Sequence, residues 1–92
     1  MHVYLIDEEN HGQIGVAATR KAALQWLITS DWVGRHSEIW IPDENERWGG
    51  RDVKLDELYG ENWEEKFLQF SDEQLENMGF YLHKEDVIEE ED

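Results

Sequence analysis

Val3-Tyr4-Leu5-Ile6-Asp7-Glu8-Glu9-Asn10-His11-Gly12-Gln13-Ile14-Gly15-Val16-Ala17-Ala18-Thr19 holds two β-rich runs on either side of a polar segment with a glycine. Such a pattern reads as a β-hairpin, and Thr19 then stands where a hydroxyl side chain caps a helix. Ala22, Ala23, Leu24, Leu27 and Ile28 supply the helical periodicity that follows. If that helix runs on through Trp32 and Val33, Gly34 is its expected stop. Arg20 and Lys21 lie in its first turn, where the helix dipole disfavours cations, so pairing with the chain's own acids is expected there.

Outward from this unit, Glu38-Ile39-Trp40-Ile41 reads as a third strand ended by Pro42. Residues 43–51 are either a polar loop or a hairpin tip turning at Gly49-Gly50, after which Asp52 to Leu55 returns as a fourth strand. From Asp56 the period becomes helical, with Leu58, Tyr59, Trp63, Phe67 and Phe70 on one side and a break at Gly60. Ser71-Asp72-Glu73-Gln74 is a capping box, with Phe70 and Leu75 at the staple positions. It predicts a helix over 72–78 closed by a left-handed Gly79. Phe80-Tyr81-Leu82, extended by Val87-Ile88, is the last expected strand.

The expected fold class is therefore α+β: a small antiparallel sheet of three to five short strands packed against two or three helices, in the order β-β-α-β-(β)-α-α-β. Residues 1–92 form a single compact domain in this reading, with 89–92 frayed at an acidic end. Trp26, Trp40, Trp63 and Phe67 are the expected large core residues.

Composition bounds the function. The chain has no cysteine, which removes thiolate nucleophiles, disulfides and Cys-ligated zinc. The apolar stretch from Val16 to Val33 is interrupted by Arg20, Lys21, Gln25 and Asp31, so no membrane span is expected. The N-terminus lacks the basic region and cleavage pattern of a signal peptide, which points to the cytoplasm.

Net charge is −15, and it is concentrated. Residues 43–92 hold eighteen acids against Arg47, Arg51, Lys54, Lys66 and Lys84, a net of −13. The same half carries Trp48, Trp63, Phe67, Phe70, Phe80 and Tyr81, an aromatic content that acidic disordered tails lack. A folded surface with a negative field repels nucleic acid and anionic membrane and attracts basic partners.

Chemistry-bearing motifs are absent. Neither Asp7-Glu8-Glu9-Asn10-His11-Gly12 nor Asp43-Glu44-Asn45-Glu46 completes a calcium loop, because Ala18 and Lys54 stand where the twelfth-position glutamate belongs. His2, His11, His36 and His83 show no close pair spacing for zinc, and the glycines form no phosphate-cradling loop. Neither catalytic residues nor a cofactor are expected. An alternative reading is a small ligand-binding domain or hydrolase using His11 or His36 with nearby carboxylates.

The leading reading is a non-enzymatic protein-binding module with an acidic face in residues 43–76. On a continuous helix, Glu57, Glu61, Glu64 and Glu65 stack along one side, and Asp72, Glu73 and Glu76 repeat the arrangement. Asp43, Glu44 and Glu46 flank Trp48, which is either a partner anchor or a lid on the core. The expected partner is a basic protein surface, in the sharp form a nucleic-acid-binding protein whose ligand the carboxylate rows mimic.

Residues 3–28 also resemble the start of small proteins of Gram-positive bacteria and their phages. The resemblance rests on Val3-Tyr4-Leu5-Ile6, Gly15-Val16-Ala17-Ala18-Thr19 and the helix from Arg20 to Ile28. It implies an accessory or mobile-element protein with no established activity, and it carries over no functional residue.

Overall fold

The computed structural model describes residues 2–86, and within them the chain folds as α+β in the expected order. Strands β1 (His2–Glu8) and β2 (Gly12–Ala17) form the N-terminal hairpin, and helix α1 (Arg20–Thr29) follows. Strands β3 (Glu38–Pro42) and β4 (Gly50–Lys54) make a second hairpin. Helix α2 (Leu55–Tyr59), a 3-10 turn (Gly60–Asn62), helix α3 (Trp63–Phe67) and helix α4 (Asp72–Glu76) lead to strand β5 (Phe80–Asp86). The expected contribution of Val87-Ile88 to the last strand and the fraying of 89–92 lie outside the described residues.

The five antiparallel strands divide between two sheets, one of order β2-β1-β5 and one of β3-β4. β5 runs along β1 from His2↔Asp86 to Glu8↔Phe80, so both ends of the described chain meet in one sheet. The backbone N–H of Glu9 donates to the Gly79 carbonyl at 3.0 Å and extends that pairing.

Local signals place the helix ends. The Thr19 side chain accepts from the Ala22 N–H, and the Ser71–Gln74 capping box is formed in both directions. Gly79 is left-handed, at φ 90°, as its place after α4 predicts. α1 stops earlier than Gly34. Asp31 takes the left-handed conformation instead, at φ 61°, and the Val33 N–H donates back to the Leu27 carbonyl at 3.0 Å. This turn seats Val33 in the core at 1% exposure, which offsets the modest cost of a left-handed aspartate.

One cluster of buried side chains joins the two sheets and the helices: Ile6, Ala23, Leu24, Leu27, Val33, Ile39, Leu55, Phe67, Phe70, Leu75 and Phe80. Trp26 and Trp63 pack against this cluster and are partly buried. Trp40 departs from expectation, being 39% exposed. In the β3-β4 ladder Ile39 pairs with Val53 and Trp40 with Asp52, so Ile39 takes the inner face and its neighbour must take the outer one. Among the described residues no helix is long and apolar enough to cross a membrane.

Arg20 ties the start of α1 to the start of α4. Its guanidinium donates to the Phe70 carbonyl at 2.8 Å and to Asp72 Oδ1 at 2.7 Å. The cation in the first turn of α1 is thereby matched by acceptors from a distant part of the chain, as its unfavourable position in the dipole anticipates.

Candidate functional site

The helical acids do not form one row. Gly60, at φ 64° and ψ −141°, breaks the segment into α2, the 3-10 turn and α3. Glu57 belongs to α2, Glu61 to the turn, and Glu64 and Glu65 to the first turn of α3. The expected stacking of Glu57 on Glu61 required a continuous helix, and a left-handed glycine between them reorients everything that follows. All four are nonetheless exposed, as are Asp72, Glu73 and Glu76 on α4. Among the described residues, Asp72 alone of these seven has a cation within ion-pair distance, the Arg20 guanidinium. The layer is thus acidic without being internally neutralised.

The second group sits on the β3-β4 hairpin. Asp43 closes its tip: the backbone N–H donates to the Gly49 carbonyl at 2.9 Å, and Oδ1 accepts from the Asn45 N–H at 2.9 Å. This side chain-to-backbone bond is the turn-forming habit of aspartate. Asp43, Glu44 and Glu46 are exposed beside Trp48, which is 89% exposed. Of the two readings open for Trp48, the lid is excluded, since a tryptophan this exposed covers nothing. The Arg47 guanidinium lies 5.6 Å from its ring centroid, a cation–π contact in water. A cleft of about 440 Å³ opens at the same end, lined by Ile41, Pro42, Asp43, Glu44, Asn45 and Arg51, with Gly50 at its margin.

Trp40 and Asp52 belong to this surface although neither was among the expected site residues. Alternation in Glu38-Ile39-Trp40-Ile41 was the available signal: a strand that buries its isoleucines must turn the tryptophan between them outward. The Trp40 ring lies across the strand over Gly50, where a Cβ would come within 2.3 Å of Cζ2. Glycine at that position lets the ring lie flat on the hairpin.

Among the described residues each histidine stands beside a different carboxylate. His11 Nδ1 bonds the Glu8 carboxylate, and its ring meets Trp32 edge-on at 5.3 Å. That hydrogen bond, opposed by partial desolvation and aided by the Asn10 N–H, holds the Glu8 carboxyl below the ordinary glutamate range. His36 Nε2 is 3.5 Å from Asp56 Oδ2, and Arg35 Nε is 3.6 Å from the same oxygen. Asp56 Oδ1 is buried and has no hydrogen-bond partner among the described residues. Neither His11 nor His36 lines either of the two clefts described in this section. His83 does line one, a cleft of about 240 Å³ with Asp72, Glu76, Tyr81 and Leu82. Its Nε2 lies 2.9 Å from Asp7 Oδ2, and Asp72 pairs with Arg20. Among the described residues no group of three or more His, Asp or Glu side chains is arranged to hold a metal ion.

Comparison with protein-family models, with curated proteins and with solved structures finds no match to this chain.

Proposed function

We propose that this chain is a non-enzymatic binding module that presents the acidic surface of residues 43–76 to a basic protein. In its sharp form it acts as a DNA mimic, an accessory or inhibitor protein of a phage or mobile element working in the cytoplasm. The observation that carries this reading is Trp48, 89% exposed at a hairpin tip among Asp43, Glu44 and Glu46. Tryptophan is the side chain most often found as the anchor of an interface, and acids around it steer a cationic partner over a distance of several ångströms. The acids of α2, the 3-10 turn, α3 and α4 add to this negative field, since Glu57, Glu61, Glu64, Glu65, Glu73 and Glu76 have no cation against them among the described residues.

The test is retention of proteins from a Gram-positive lysate on the immobilised chain at about 20 mM and about 300 mM salt, where the Debye length falls from tens of ångströms to a few. A basic nucleic-acid-binding protein should be retained at low salt and released at high salt, and added duplex DNA should displace it. Reversal of Glu61, Glu64 and Glu65 to Lys should abolish retention with the far-UV spectrum unchanged, and Trp48→Ala should weaken it severalfold. Equal retention by the reversed chain refutes the proposal.

A further inference from the structure

The three-stranded sheet ends on one side at β2, and hydrogen bonding shows which of its backbone groups face outward. The Glu9 N–H donates to the Gly79 carbonyl, toward β5, while the Glu8 carbonyl accepts from the His11 N–H, on the β2 side. In an antiparallel strand the N–H and C=O of one residue point the same way, and successive residues alternate. The even residues of β1 therefore bond β2, as Tyr4/Ala17 and Ile6/Gly15, and the Leu5/Val16 pair between them is unbonded. The N–H and C=O of Val16 point away from the sheet, and among the described residues no loop or other element supplies them with a partner. The Val16 side chain is 51% exposed on the outer face. On the inner face the Trp26 ring already covers Gly15.

Free strand edges are ordinarily guarded by charge or proline. β5 carries His83, Lys84, Glu85 and Asp86, and β4 carries Arg51, Asp52 and Lys54. β3 carries Glu38 and Pro42 and gives its Trp40 N–H to Asn77. β2 is different: Gly12-Gln13-Ile14-Gly15-Val16-Ala17 holds neither an ionisable side chain nor a proline. Its one irregularity is the bulge at Ile14, which leaves residues 15–17 in regular register. Residues 12–29, which make up β2 and α1, contain Arg20 and Lys21 and no acid, in a chain of net charge −15. Those two cations make the edge a poor seat for a basic protein, and the field of the whole chain repels nucleic acid.

A second copy of the chain meets neither objection. With a two-fold axis through Val16, the Val16 residues of the two copies exchange both backbone hydrogen bonds, at a Cα separation of about 5.5 Å. Leu5 lies opposite Val16 in each copy, so one apolar row of Leu5, Val16, Val16 and Leu5 crosses the joined sheet. The overlap brings the Lys21 end of each β2 to the Gly12 end of the other, next to Glu8 rather than to a second cation. β5, with Glu85 and Asp86, becomes the outermost strand on both sides. The two β5 strands then stand five strand spacings apart, about 24 Å, which is beyond a Debye length of about 8 Å at physiological salt.

We propose that β2 is the self-association edge of this protein, two copies pairing antiparallel through Val16 and joining their sheets into one of six strands. The pairing uses none of residues 43–76, so it leaves the acidic surface of each copy free.

Sedimentation equilibrium of the full chain at physiological salt is the first test. The average mass should rise from 11.0 kDa toward twice that value as the chain approaches about 1 mM, the range in which so short a contact associates. Amide exchange over the same concentrations should show growing protection of the Val16 N–H. The Ala17 N–H, already bonded to Tyr4, should change far less. Val16→Lys sets like charges directly opposite each other across the two-fold and should weaken the pair at least about tenfold, with the far-UV spectrum unchanged. A mass of 11.0 kDa at every concentration overturns the proposal, as does a dimer that Val16→Lys leaves equally tight. If the lysine variant does not fold, the exchange measurement on the parent chain decides, and protection of the Val16 N–H that is independent of concentration overturns the pairing.

Discussion

Gly15→Ala should destabilise the protein through a single contact. A Cβ at Gly15 would stand 2.9 Å from Cη2, 3.0 Å from Cζ2 and 3.1 Å from Cζ3 of Trp26. Trp26 belongs to α1 and packs against the core, so its ring cannot rotate into water without uncovering buried neighbours. Overpacking of this kind costs about 1–3 kcal/mol. Replacing glycine in a strand returns about 0.5–1 kcal/mol of backbone entropy. The net loss is about 1–2 kcal/mol, a fall in melting temperature of roughly 4–16 °C for a domain of this size. Far-UV circular dichroism melts measure it. In a Trp26→Leu background the same substitution should be neutral or mildly stabilising, because the clashing ring is gone and the two sites are coupled. A Gly15→Ala chain that melts at or above the parent temperature refutes the packing argument. Gly50→Ala makes a closer approach to Trp40, at 2.3 Å, yet should cost less than about 1 kcal/mol. The Trp40 ring is already 39% exposed and can swing outward, so the change should appear in tryptophan fluorescence rather than in the melt.

Arg20→Ala should cost more than Asp72→Asn. The Asp72 side chain is 73% exposed and its ion pair is worth little, whereas the bond to the Phe70 carbonyl is part-buried and contributes about 1–2 kcal/mol; urea unfolding of the two variants separates them. The Glu8 carboxyl is held below its ordinary value near 4.5, so its contribution is complete above that value and lost as the pH falls through the lowered folded one. Glu8→Gln should therefore remove part of the acid-limb loss of stability below about pH 4.5 and leave the neutral-pH slope alone, which melts across the acid range check. Added salt should raise the melting temperature between about 10 and 200 mM, as the Debye length drops from about 30 Å to below about 8 Å. With eight Lys and Arg against 23 acids, screening of repulsion outweighs the weakening of the few exposed ion pairs.

The elements themselves were legible in the sequence because their signals act over a few residues. Thr19 and Ser71 cap the N–H groups three positions on, Gly79 takes a conformation that side chains resist, and Ile39 and Ile41 define an inward face by alternation alone. The outward Trp40 was legible by the same alternation, although the bulk of its ring argues for the core. Gly60 was visible as a break, but not the angle it imposes, and that angle separates Glu57 from Glu61, Glu64 and Glu65. Only the tertiary structure decided how five strands divide into two sheets, that β5 closes on β1 from the other end of the chain, and that Arg20 finds its acceptors at Phe70 and Asp72. The same holds for α1 ending at a left-handed Asp31 rather than at Gly34, where burial of Val33 outweighs the local preference for glycine. The physical reason is common to these cases. Caps, turns and periodicity are settled by neighbours in the chain, whereas strand partners, the exposure of Trp48 and the open edge of β4 depend on which distant surfaces the shared core brings together.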